Sequence, residues 1–160
     1  MRFARAIHFD ESDMRVFASP ARTGEWCLSG GFEFSDWTEA DLTGKARQAF
    51  ANGWLGLETF GRATFVAVTE ATPEEVTAMT DALAAHFVRV HGAPSLDAAR
   101  PVAAEEVAQM AALCDDHDAN TVLTVARTLT EGGVHEAYRA IRAQDADLTQ
   151  LAVHADPDGG

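Results

Sequence analysis

The chain has 160 residues, 47 % of them hydrophobic, and carries 12 bases against 25 acids, a formal charge of −13. That length and apolar content describe one globular domain able to bury a core without disulfides or metal, and exclude a disordered chain. The charge excludes general nucleic-acid binding and docking on an anionic membrane, because both need a basic surface.

In chain order, residues 3–9 read as a short strand, followed by the acidic turn Asp10-Glu11-Ser12-Asp13. Residues 14–18 are expected to pair back as a second short strand, and Pro20 to Gly24 is a loop. Residues 26–34 alternate, with Trp26, Leu28, Phe32 and Phe34 on one face and Cys27, Ser29 and Glu33 on the other. This predicts a half-buried strand with a bulge or close backbone approach at Gly30-Gly31. Residues 38–57 repeat Leu42, Ala46, Ala49, Phe50, Gly53 and Leu57 at helical spacing. Gly44, Gly53 and Gly56 each weaken that helix by up to about 1 kcal/mol relative to Ala, so a broken or short helix is expected.

The apolar run Ala63–Thr69 predicts a central strand. Thr72, Pro73 and Glu75 then form an N-cap, first-turn proline and capping box, and Val76, Met79, Leu83, Phe87 and Val90 make one stripe up to the stop at Gly92. Pro101 is expected to open a further helix to about Cys114, with Ala103, Val107 and Met110 facing inward. Residues 121–129 and 134–142 read as a hairpin about Glu131-Gly132-Gly133. The order β-β-β-α-β-α-α-β-β predicts an α+β domain over residues 1–144. Its sheet is expected to be mixed and largely antiparallel, with about three helices on one face. Residues 145–160 are expected to form a loosely ordered acidic tail.

Charge divides unevenly along this order. Residues 1–70 hold 7 bases and 10 acids, whereas residues 71–160 hold 5 bases and 15 acids. Residues 42–62 run against the trend, with Lys45, Arg47 and Arg62 against Glu58 alone. Thr43-Gly44-Lys45 at a helix start suits an anion, since backbone N–H groups and the dipole favour negative charge there. It is not a Walker A loop, because the first glycine is missing and Ala46 replaces the Mg²⁺-binding hydroxyl residue. Lys45, Arg47, Gln48, Asn52, Trp54 and Arg62 are therefore the candidate ligand-binding or interface residues. The plainer reading is a solvated helix face with Trp54 in the core. Trp26 is likewise expected in the core, and Trp37, in a loop or first turn, is the better interface tryptophan.

Cys114, Asp116 and His117, with Asp115 and Asp118, mix thiol, carboxylate and imidazole as a divalent ion requires. Contiguous residues cannot all point at one ion, however, and an acidic solvated turn explains the run better. His86 and His91 are five apart, on different sides of one helix, and lack the i, i+4 spacing of a metalloprotease helix. His8 and His135 fall on predicted strands and need a tertiary meeting with an acid to act. Cys27 has no local signature of a nucleophile. No catalytic residue and no cofactor is assigned.

The chain up to about residue 142 resembles a family of small bacterial proteins of unknown function. The residues that carry the likeness are Arg5–Asp13, Ser29-Gly30-Gly31-Phe32 and Leu42–Gly61 with Lys45, Arg47, Gln48 and Asn52. The resemblance implies an accessory role beside molybdenum or formate-oxidising enzymes and a biotin/lipoate-ligase-like protein, and it carries over no site residues. The expected protein is an accessory or interaction protein with a protein partner or a second copy of itself. The alternative is a binder or enzyme for a small anionic ligand at residues 42–62. With two thiols, Cys27 and Cys114, no apolar run of about eighteen residues and no apolar leader at its start, the chain is expected in the cytoplasm.

Overall fold

The computed structural model describes residues 1–141. The predicted tail at residues 145–160 lies outside them. The strands are β1 (Arg2–Ile7), β2 (Trp26–Leu28), β3 (Trp54–Gly56), β4 (Arg62–Ala63), β5 (Phe65–Glu70), β6 (Val122–Thr130) and β7 (Gly133–Ile141). The helices are α1 (Ser12–Val16), α2 (Gly44–Asn52), α3 (Pro73–Val90) and α4 (Leu96–Asp115). The fold is α+β, as the element order predicts.

The seven strands form one sheet in the order β4-β3-β2-β1-β5-β6-β7, and every neighbouring pair is antiparallel. The expected mixture of directions reduces, among the described residues, to an isolated parallel bridge between Pro20 and Arg62. Only Thr64 separates β4 at one edge from β5 in the middle, so the sheet must curl until the two meet. The bend there is held by buried Asp13. Its carboxylate accepts from Thr64 N at 3.1 Å and Thr64 Oγ1 at 2.6 Å, replacing ladder bonds that the bend removes.

The interior contains Phe3, Leu28, Trp54, Leu55, Val66, Val68, Met79, Leu83, Leu123 and Val125, all below 3 % exposure. Helices α3 and α4 pack on each other, α4 lies against β1, and α2 lies against β6. The capping box at α3 is formed as predicted, with Glu75 N donating to Thr72 Oγ1 at 3.1 Å and Thr72 N to Glu75 Oε1 at 2.9 Å.

Four expectations need correction. Residues 14–18 do not form a strand. Asp10 Oδ1 accepts from Ser12 N at 2.8 Å, and this turn starts the short helix α1. The strand expected over residues 26–34 stops at Leu28. Gly30 takes φ +72°, which ends the extended run and opens a 3-10 turn over Gly31–Phe34. The segment 38–57, expected to hold a broken or short helix, holds the short helix α2, but Trp54–Gly56 leaves the helical pattern as a strand. A Cβ at Gly53 would lie 2.8 Å from Ala49 O and 2.9 Å from Arg62 Cβ, so the chain passes too close for any larger residue. Finally, α4 begins at Leu96 rather than Pro101, because Ser95 Oγ accepts from Ala98 N at 3.1 Å and caps it earlier.

Candidate functional site

Two arginines occupy the interior where α2 meets the curled sheet. Arg62, on β4, donates from Nη1 to Gly53 O at 3.1 Å and from Nη2 to Gly30 O at 3.3 Å and Glu33 Oε1 at 2.8 Å. Arg127, on β6, donates from Nε to Glu136 Oε2 at 2.7 Å and from Nη1 to Phe50 O at 3.0 Å and Gly53 O at 2.8 Å, while Nη2 reaches Ser29 O. Phe34 lies beneath both guanidinium groups, at 4.6 and 5.3 Å. The planar fork of arginine is what allows one side chain to satisfy several carbonyls left unpaired where α2 ends and the strands turn. Burial pushes Arg62 down to about 10, with Arg127 adding to the shift and Glu33 opposing it. Both arginines remain charged and fully engaged in the fold.

Glu33 connects this interior to the surface. Its Oε1 faces Arg62, and its Oε2 lies 2.7 Å from His86 Nε2 and 2.9 Å from His91 Nε2. Burial raises the Glu33 carboxyl, but the hydrogen bonds from His86 and His91 and the Arg62 charge outweigh it and hold it at about 2. His86 is buried and stacks face to face on Phe60, with ring centroids 4.0 Å apart and planes 2° from parallel. Phe60 has φ +56°, a left-handed backbone that costs a bulky residue on the order of 1–2 kcal/mol. The turn that imposes it is fastened by buried Glu25, which accepts from Glu58 N at 3.0 Å, Thr59 N at 2.9 Å and Thr59 Oγ1 at 2.8 Å. His91 is the C-cap of α3, a third exposed, with its ring edge-on to Phe32 and Phe87.

The expectation that His86 and His91 face apart fails for a local reason. Helix α3 ends at Val90, and His91 with φ −107° and ψ 9° has left the helical path, so its ring folds back towards His86. The ligand atoms of Glu33, His86 and His91 lie within 4.8 Å of one another, and no other such group of three occurs among the described residues. The signal for His91 in the sequence is Gly92, whose φ of +74° ends the helix at Val90 and leaves His91 as its cap. Glu33 has no local signal, standing 53 and 58 residues from its partners.

Beside this group runs a cleft of about 490 Å³ lined by His91, Phe32, Phe87, Ser35 and Glu106. Phe32, Ser35 and Glu106 also line a second cleft of about 590 Å³, with Ser29, Glu136 and Tyr138 on its far wall. Burial raises Glu136, but the Ser29 hydrogen bond and the Arg127 charge and hydrogen bond hold it below the ordinary carboxylate range. Glu106 is shifted the other way, upward, by burial and then by Glu136 and Glu105.

The residues singled out from the sequence are dispersed. On α2, Lys45, Arg47 and Gln48 are exposed. Asn52 Nδ2 donates to Val125 O at 3.2 Å and fastens α2 to β6. Trp54 is fully buried and stacked on Tyr138 at 5.7 Å. Half-buried Trp37 packs on Phe34 and Phe50, and half-buried Trp26 lies under Arg5 at 3.9 Å. Cys114 is buried, and burial followed by the Asp115 charge pushes its thiol up to about 12. Asp116 caps α4, and His117 offers its carbonyl to Arg2 at 2.7 Å. Burial raises the Cys27 thiol, with Glu25 adding to it. His8 lies beside Thr23 and Asp13, whereas His135 is exposed on the edge strand β7, so the two do not share a strand pair. Among the described residues no helix is long and apolar enough to cross a membrane.

A family model described as "Family of unknown function (DUF6505)" matches residues 1–159. No curated protein and no solved structure matches the chain.

Proposed function

As the chain belongs to that family of unknown function, we propose from its own geometry that it is an accessory interaction protein presenting the outer face of α2 to an acidic protein partner. The observation that carries this reading is the contrast between two sets of cations. Arg62 and Arg127 are buried and consumed by the fold, whereas Lys45 and Arg47 are exposed and make no ion pair among the described residues. At 100° per residue, with Ala46 and Phe50 turned inward, Gln48 is centred on the outer face of α2 and Lys45 and Arg47 stand on its two flanks. Trp37, half-buried, packs on Phe50 at the inward side of the helix. Arginine is enriched in interface hot spots, and a charged rim sets association rate and partner choice. In a chain of net charge −13, a locally basic face is where an acidic partner meets least repulsion.

The partner would belong to a molybdenum or formate-oxidising enzyme system on the reading the family resemblance implies. A small anion would instead need a concave seat, and neither Lys45 nor Arg47 lines the clefts described above. The test is affinity capture with the full chain, followed by the double reversal Lys45→Glu with Arg47→Glu. The expected result is a defined, salt-sensitive complex that the reversal abolishes while far-UV circular dichroism stays unchanged. A complex retained by the reversed chain, or no defined partner at all, overturns the proposal.

A further inference from the structure

Independently of the α2 face, we infer that Glu33, His86 and His91 form a binding site for a first-row divalent transition ion of the Zn²⁺ class, with an open position towards the adjoining cleft. Two imidazoles and one carboxylate are the donor set of three-ligand zinc and non-haem iron centres, and imidazole selects these ions over Mg²⁺ or Ca²⁺. Both Nε2 atoms converge on one oxygen, at 2.7 and 2.9 Å. Donors in a tetrahedral zinc shell, with bonds of about 2.0–2.1 Å, stand about 3.4 Å apart. Opening the His86 contact by about 0.7 Å and the His91 contact by about 0.5 Å therefore brings both imidazoles to that spacing from Glu33, with all three donor atoms already within 4.8 Å of one another. Rotation of His91, the most exposed of the three residues, opens its own contact, and a small shift of the half-buried Glu33 carboxylate opens the one to His86.

The shell is held from behind in the way metal ligands are. Arg62 occupies Oε1 of Glu33 at 2.8 Å, which turns Oε2 towards the imidazoles. Phe60, in its strained backbone, fixes the plane of His86. Strain maintained at one ring, rather than relieved by a glycine, fits a site whose ligand orientation matters. On the open side, His91 lines the cleft with Phe32, Phe87, Ser35 and Glu106, giving water or a small exogenous donor access to a fourth position. The Arg62 charge already balances Glu33, so a bound dication leaves local positive charge. That favours hydroxide or an anionic donor at the fourth position.

The experiment uses the full chain after chelator treatment, titrated with Zn²⁺ by calorimetry and with Co²⁺ by visible absorption. The expected result is one ion per chain. His91→Ala should weaken binding by at least about tenfold and erase the Co²⁺ ligand-field bands. It should lower the thermal unfolding of the metal-free chain only slightly, since His91 is partly exposed and gives up one contact with Glu33. His117→Ala, in the other metal-like segment, should bind as the unmodified chain does. Absence of saturable Zn²⁺ binding, binding that persists unchanged in His91→Ala, or binding lost in His117→Ala each overturns the inference.

Discussion

Glu106 shows how one side chain can be set against its own fold. It stands on α4 between the two clefts, half-buried, where burial and then the charges of Glu136 and Glu105 raise its carboxyl. A raised folded-state value means that ionisation is disfavoured on folding, so this group subtracts stability above its folded pKa. The loss disappears once pH falls below the unfolded value, near 4.5. Glu106→Gln is expected to raise stability at about pH 7 and to have no effect near pH 3. The side chain keeps contact with water, so screening limits the gain to about 0.5 kcal/mol. Urea unfolding at the two pH values measures it, and a variant less stable at neutral pH contradicts the argument. Glu33 works in the opposite sense. Its value of about 2 lies below the ordinary carboxylate range, so its contribution is present above pH 4.5 and is lost as pH falls towards 2.

The elements divide by how local their causes are. Helix α3 was legible because Thr72, Pro73, Glu75 and Gly92 act within a turn of the ends they fix, and the β6–β7 hairpin because Gly132-Gly133 sits between two alternating runs. The extent of α2 was not legible. Its stop at Gly53 depends on how closely Arg62 and Ala49 approach, a contact that exists only in the folded chain. The same holds for Glu33 with His86 and His91, which meet only when the 3-10 turn and the end of α3 are both in place. From the sequence, Arg62 belonged to a basic surface segment, and nothing local distinguished it from Lys45 or Arg47. Arg127 was not distinguished at all, although it joins β6 to the C-terminal end of α2. Its replacement tests that junction. Arg127→Leu leaves the carbonyls of Phe50, Gly53 and Ser29 without this donor and Glu136 without its ion partner. Breaking a buried pair in this way costs about 3–5 kcal/mol. The loss should appear as a lower urea midpoint and as faster hydrogen exchange at the C-terminal end of α2. Unchanged exchange there, with only a uniform loss of stability, argues against a junction role.

For the whole molecule, the charge of −13 has opposite consequences for the fold and for its proposed partner. Among the described residues two bases, Arg62 and Arg127, are buried, so the surface is poorer in cations than the composition states. Exposed pairs such as Arg22–Glu58 and Arg100–Asp81 contribute at most about 1 kcal/mol each and cannot balance the excess of acids. Self-repulsion of that excess opposes the compact state. Raising NaCl from about 0.01 M to 1 M shortens the screening length from about 30 Å to 3 Å, which weakens repulsion over most of the surface. Buried pairs such as Arg127–Glu136 are screened much less. Thermal unfolding is therefore expected to shift upward with NaCl. A complex made through Lys45 and Arg47 responds the other way, because the attraction that steers an acidic partner to α2 is screened by the same salt. Capture should decline over the concentrations at which the fold becomes more stable. That opposition separates the two effects. If salt lowered both, loss of the complex would follow from unfolding of the chain, and the α2 face would have no independent part in it.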